Sequence, residues 1–174
     1  ALGGAGRLYG CVSLDRSVVL HAAGWSNGPF PGVSTRPVAS LTDNRGRDSF
    51  WSAELALNKR GRFLGLKVDC VGKLGAYFTG VAHFVFTTHV SGCLPTVYDI
   101  PQAQVNTRCV FTNTLPTGPY RGAGRPEASY LIVRVIDAAA DVTGIDAAEL
   151  RRRNLIAPAT IPYTTPSAST YDNG

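Results

Sequence analysis

The segment with the clearest capacity for chemistry runs from Thr112 to Glu127, TNTLPTGPYRGAGRPE. Its residue types describe a strand end, a glycine-rich loop and the start of a helix. The first turn of a helix carries backbone N–H groups with no partner inside the helix. The aligned peptide dipoles also make that end positive, so it can hold an anion. Gly122 and Gly124 let a ligand approach the backbone, while Arg121 and Arg125 add fixed charge and planar N–H donors. Alone, the pattern is weak, because a glycine-rich loop before a helix is more often just a tight connection. The lysine and serine or threonine that close a P-loop are absent, and so is the G-x-G-x-x-G spacing of a dinucleotide fold.

The other reactive residue types are scattered. Cys11, Cys70, Cys93 and Cys109 form no C-x-x-C pair, which excludes zinc-ribbon and cluster-ligand spacings and leaves buried or inert thiols. His21, His83 and His89 have no ligand spacing and read as ordinary core or surface residues. No metal-ligating set is therefore assigned within the chain. The charge is +5, from 17 Lys+Arg against 12 Asp+Glu. Its one dense basic cluster, Arg151–Arg153, reads as helix punctuation rather than a nucleic-acid patch. The 44% hydrophobic and 17% charged composition is that of a globular chain, and no apolar run reaches the ~18 residues of a membrane span.

The elements that must position the loop are partly legible. Residues 1–35 are rich in Gly, Ser and Ala, with no sustained period. Ser17–Leu20 could form a short strand, and the segment is left unassigned and irregular. From Asp48 the alternation of Phe50, Ser52, Glu54 and Ala56 with Trp51, Ala53, Leu55 and Leu57 predicts a strand. Asn58–Gly61 reads as a hairpin turn with Gly61 at positive φ. A second strand from Arg62 to Tyr77 puts Leu64, Leu66, Val68 and Cys70 on one face, with Gly72 and Gly75 marking a bulge or a close backbone approach. Residues 78–101 look less regular, and Val105–Thr112 is a further strand.

After the loop, Pro126 and Glu127 suit a helix start. Ala128, Leu131, Ile132, Val135, Ile136 and Ala139 make one apolar stripe, and Gly144 ends the helix. Asp146 to Glu149 has the form of a capping box for a second helix. The fold class expected is α+β: a mixed, largely antiparallel sheet over about 48–112 followed by two helices packed on one side.

Taken as a whole, VFTNT-P-G-YRGAGRPEA resembles a signature of the large, molybdopterin-binding subunits of molybdenum hydroxylases, the xanthine dehydrogenase and carbon monoxide dehydrogenase family. Further matches follow in the family's order: Gly46-Arg47-Asp48, Ala53–Leu57, Gly61–Leu66, Leu74–Tyr77, Tyr98–Pro101, Gly144–Asp146, Glu149–Ile156 and Pro162–Pro166. The resemblance covers residues 36–174, expected to be part of a molybdopterin-binding domain, with 1–35 outside it.

The resemblance implies that Arg121, Gly122, Ala123 and Gly124 bind the molybdenum–molybdopterin cofactor, in its cytosine dinucleotide form. Gly122 stands where the carbon monoxide-oxidising branch has a copper-binding cysteine, which argues against copper chemistry. Ala123 stands where xanthine-oxidising members have a phenylalanine, which puts a purine substrate in doubt. Pro119 departs from the alanine usual there and removes a backbone donor. What remains is an aldehyde, heterocycle or carbon monoxide dehydrogenase-like oxidoreductase that takes its oxygen from water.

The expected partners are an iron–sulfur subunit and an FAD subunit of one cytoplasmic complex, with a small-molecule substrate, no nucleic acid and no membrane. The family's GGFG loop and catalytic glutamate find no counterpart here, Gly3–Gly6 being too short and generic. Together with the lack of methionine and the turn-like Tyr171–Gly174 end, this predicts a piece of a longer subunit, inactive alone. The alternatives are a non-catalytic anion- or nucleotide-binding module and an inactive remnant.

Overall fold

A computed structural model describes residues 14–29, 31–33, 35–42, 44–78 and 80–173; Cys11 and Gly3–Gly6 lie outside them. The chain divides into two compact units, each discontinuous in sequence. One holds the described residues within Ala1–Asp48 together with Lys73–Ala82 and Val110–Ala123; the other holds Ser49–Gly72, His83–Cys109 and Gly124–Gly174.

The elements in chain order are α1 (Leu14–Ser26), α2 (Arg36–Thr42), β1 (Ser49–Leu57), β2 (Phe63–Gly75), α3 (Ala82–Phe86), α4 (Thr88–Cys93), β3 (Ala103–Phe111), α5 (Arg125–Thr143) and α6 (Ala147–Arg153). A single 3-10 turn and a two-residue hairpin, β4 (Tyr163–Thr164) with β5 (Thr170–Tyr171), follow. Two expectations are corrected here. Ser17–Leu20 belongs to helix α1 rather than a strand, since a three-residue apolar run is too short to separate the two and Ala22 and Ala23 extend it as helix formers. The stretch 78–101 is more regular than its sequence suggests, carrying α3 and α4.

The three-stranded sheet has the order β1-β2-β3. β1 and β2 form the expected hairpin, antiparallel from Ser49↔Gly72 to Leu57↔Phe63, with Gly61 at φ 76° in the turn. Contacts between β2 and β3 advance in the same direction along both strands. Leu66 N–H donates to Gln102 (2.9 Å), and the Asn106 amide donates to Asp69 (2.8 Å). These strands are therefore parallel, and α3 and α4 form the crossover that parallel pairing requires. The sheet is mixed, as expected.

One face prediction fails locally. Leu66, Val68 and Cys70 are buried, but Leu64 is half exposed. The register shifts between Ala56 and Leu57, so Gly65 pairs with Ala56 and Phe63 with Leu57. Leu64 is the extra residue of a bulge, and the inward position passes to Phe63, which is buried.

The core of the second unit joins Phe63, Leu66 and Val68 of β2 to Val90 of α4 and to Ala128, Leu131, Ile132, Ile136 and Ala140 of α5. Val135 and Ala139 complete the predicted stripe at its half-buried margin. Helix α5 starts with Pro126 in its first turn and ends at Gly144, φ 70°. Asp146 caps α6 by accepting from the Glu149 N–H at 2.9 Å. The three arginines at its end are used within the fold: Arg151 pairs with Asp137 (2.6 Å), and Arg152 (3.5 Å) and Arg153 (2.9 Å) both pair with Glu149. Asn154, fully buried, accepts from Phe63 N–H and donates to Gly61 and Leu150 carbonyls, all at 2.8 Å. It ties the hairpin turn to the end of α6.

Candidate functional site

The predicted loop is built, in the first unit, by pairing with a short arm ahead of β1. Arg45 N–H donates to the Pro116 carbonyl (3.0 Å) and Gly118 N–H donates to the Arg45 carbonyl (2.7 Å), a parallel bridge between Arg45 and Thr117. Thr117 N–H donates to Leu74 (2.9 Å) and Ala76 N–H to Thr114 (2.9 Å). Gly75 confirms the close backbone approach read from the sequence. At φ +86°, a Cβ there would lie 2.4 Å from the Leu115 oxygen and the Pro116 Cα, so nothing larger than glycine fits.

From this anchored base the chain turns sharply. Ala123 N–H donates to the Tyr120 carbonyl at 2.8 Å. Gly122, Ala123 and Gly124 all have positive φ: 93°, 43° and 95°. Three left-handed residues in succession are rare, and rarer when the middle one carries a side chain. Arg121 and Tyr120 are exposed. The Arg47 guanidinium lies 4.8 Å from the centroid of the Tyr120 ring and donates to the Arg121 carbonyl at 2.7 Å. Gly46 accommodates this packing, since a Cβ there would sit 2.7 Å from the Tyr120 Cβ.

In the second unit the loop's last residue, Gly124, is the N-cap of α5. It provides no side-chain hydrogen bond, so the first turn has no side-chain cap. Gly124 is buried against α3 and α4: a Cβ would lie 2.5 Å from the Val85 oxygen and 2.9 Å from the His89 Cβ. Among the described residues, the buried His89 Nδ1 has no hydrogen-bond partner.

The four predicted site residues thus occupy one continuous turn, Arg121 to Ala123 in the first unit and Gly124 in the second. Sequence reasoning placed the loop but missed Arg47. Its signal was present in Gly46-Arg47-Asp48, yet 73 intervening residues gave no hint of the contact to Arg121. Among the described residues no group of His, Cys, Asp and Glu could hold a metal ion. Among the described residues, too, no helix is long and apolar enough to cross a membrane.

Burial raises the thiol of Cys70 to about 12, with Cys109 adding to the effect, and it raises Cys109 as well. Neither is poised as a nucleophile. A separate open groove of about 450 Å³ lies on the sheet, lined by Glu54, Lys67, Gln102 and Gln104 among others. Its one cation is held by Glu54 (3.0 Å) and Asp69 (3.7 Å).

The mixed sheet and the helices that follow it make an α+β fold. Residues 11–155 match the model of the molybdopterin cofactor-binding domain, and the chain belongs to that family. It is 33% identical over 168 residues to the carbon monoxide dehydrogenase large chain of Hydrogenophaga pseudoflava, covering 95% of this chain and 20% of that one. It is 31% identical over 163 residues to subunit gamma of the 6-hydroxypseudooxynicotine dehydrogenase complex of Paenarthrobacter nicotinovorans, covering 94% and 20%. Among solved structures, reconstituted carbon monoxide dehydrogenase from Oligotropha carboxidovorans superposes with a TM-score of 0.74 at 29% identity, covering 91% of this chain and 20% of that one. The chain spans about a fifth of the length of these relatives.

Proposed function

We propose that the chain forms the cofactor-holding loop region of a molybdenum hydroxylase large subunit, with Arg121, Gly122, Ala123 and Gly124 contacting the cofactor. The observation that carries this reading is the run of three left-handed residues between an exposed arginine and an uncapped helix start. Such a run leaves the backbone open to a ligand at Gly122, and with the exposed Arg121 guanidinium it makes a cationic donor set. That set fits an oxygen-rich, anionic group such as molybdopterin with its phosphate.

When bound, the cofactor would supply two-electron oxidation of a substrate carbon with oxygen taken from water. This chain's part is to bind and orient. Arg121 offsets negative charge with planar donors, and the glycines admit the ligand to the backbone. The proposed cofactor is the cytosine dinucleotide form, and the partners are iron–sulfur and FAD subunits in a cytoplasmic complex. The substrate class is an aldehyde or heterocycle: Gly122 offers no thiol for copper, and the Ala123 methyl cannot stack on a purine. The chain on its own is expected to be inactive.

The test is Arg121→Ala in the full-length subunit, with molybdenum and pterin measured per chain. Loss of a charge-assisted contact should weaken retention roughly tenfold or more. Retention equal to the unaltered protein overturns the assignment. Binding of a simple nucleotide by the isolated chain, abolished by the same substitution, would favour a plain anion-binding module instead.

A further inference from the structure

We infer that Arg47 is a positioning residue for the cofactor loop, setting the direction in which the Gly122 N–H points. The inference rests on the reading of Arg121 and its neighbours given above. The Arg47 guanidinium donates to the Arg121 carbonyl at 2.7 Å. In a trans peptide that carbonyl and the following N–H share one plane and point in opposite directions. Holding the Arg121 oxygen therefore aims the Gly122 N–H to the far side, away from Arg47. The same guanidinium lies over the Tyr120 ring, 4.8 Å from its centroid, so the residue ahead of Arg121 is fixed by the same group. Both contacts fall within one unit of the chain.

The arm that delivers Arg47 is itself anchored. Arg45 pairs with Pro116 and Gly118 on either side of Thr117, and Gly46 leaves room for Tyr120. Lys73 pairs with Asp48 at the arm's other end, and Lys73 N–H donates to the Asp48 carbonyl at 3.1 Å. Arg47 sits at φ 59°, an uncommon and costly conformation for a residue with a side chain. An exposed arginine is also a poor way to stabilise a fold, because immobilising its long side chain costs entropy that an exposed contact barely offsets. A strained, ordered, exposed arginine next to a ligand loop is better explained by what it orients. It also brings a second guanidinium beside the backbone of Arg121, raising the positive potential where an anion would sit.

The experiment uses the full-length subunit with its partners, produced where the cofactor is made. Unaltered protein is compared with Arg47→Ala, Arg47→Lys and Arg121→Ala. The readouts are pterin and molybdenum per folded chain, and the melting midpoint of cofactor-free protein. A residue that orients a ligand contact should cost roughly tenfold in retention when removed. Arg47→Ala is expected to show that loss with an unchanged cofactor-free midpoint. Arg47→Lys, which keeps the charge and one donor but loses the planar stack, should fall between.

A lowered midpoint with unchanged cofactor per folded chain would make Arg47 purely structural and overturn the inference. Normal retention in Arg47→Ala alongside loss in Arg121→Ala would overturn it while leaving Arg121 in place. Normal retention in Arg121→Ala would remove the reading on which it depends. If Arg47→Ala does not fold, Arg47→Lys decides: reduced retention at a normal midpoint supports the inference, and full retention overturns it.

Discussion

At the scale of single residues, the family loop and the cysteines behave in opposite ways. Arg121 is exposed and held by its backbone, as a ligand-contacting side chain should be. Cys70 is buried, and its thiol is pushed from an ordinary 9.0 up to about 12, first by burial and then by Cys109. The thiolate is the reactive form, so Cys70 should resist alkylation at pH 8 in the native protein and react once denaturant is added. Mass spectrometry of the labelled peptide reads this directly; labelling at the denatured rate without denaturant would contradict the burial. The pH dependence follows in sign. The folded form holds its proton more tightly than the unfolded form, so the contribution is whole below about pH 9 and is lost as pH rises toward 12.

At the scale of elements, the bulge in the β1–β2 hairpin decides which leucine matters. Strict alternation puts Leu64 and Leu66 on the same inward face, but the shifted register turns Leu64 out and Phe63 in. Leu66→Ala should cost about 2–5 kcal/mol, and Leu64→Ala under about 1 kcal/mol, in urea titrations of the chain. Equal costs would mean that the alternation runs unbroken. The hairpin, the Gly61 turn, the α5 stripe and the Asp146 cap were all legible, because each depends on neighbours within a few residues. Leu64 was not, because a bulge is set by the partner strand. α3 and α4 were missed because helices of five and six residues show too little period to separate from a loop. In the site, the same division holds. The string around Arg121 could be read directly, whereas Arg47 reaches it only through the fold.

At the scale of the whole molecule, the two units differ in how their elements are secured. The unit centred on Phe63, Leu66, Val68, Leu131, Ile132 and Ile136 has a continuous apolar core that includes residues fully closed to solvent. Helix α1 belongs to the other unit and presents Val18, Leu20 and Trp25 to solvent, Trp25 at 83% exposure. Amide exchange slows where opening requires breaking buried packing, and it stays fast where backbone hydrogen bonds lie at a solvated surface. In the isolated chain, deuterium uptake should be slowest in β2 around Leu66–Cys70 and in α5 around Leu131–Ala140. It should be fastest in α1, with the 112–123 loop between, because its base is bonded to Arg45, Leu74 and Gly75. Protection of α1 equal to that of α5 would mean that its apolar residues are covered in solution.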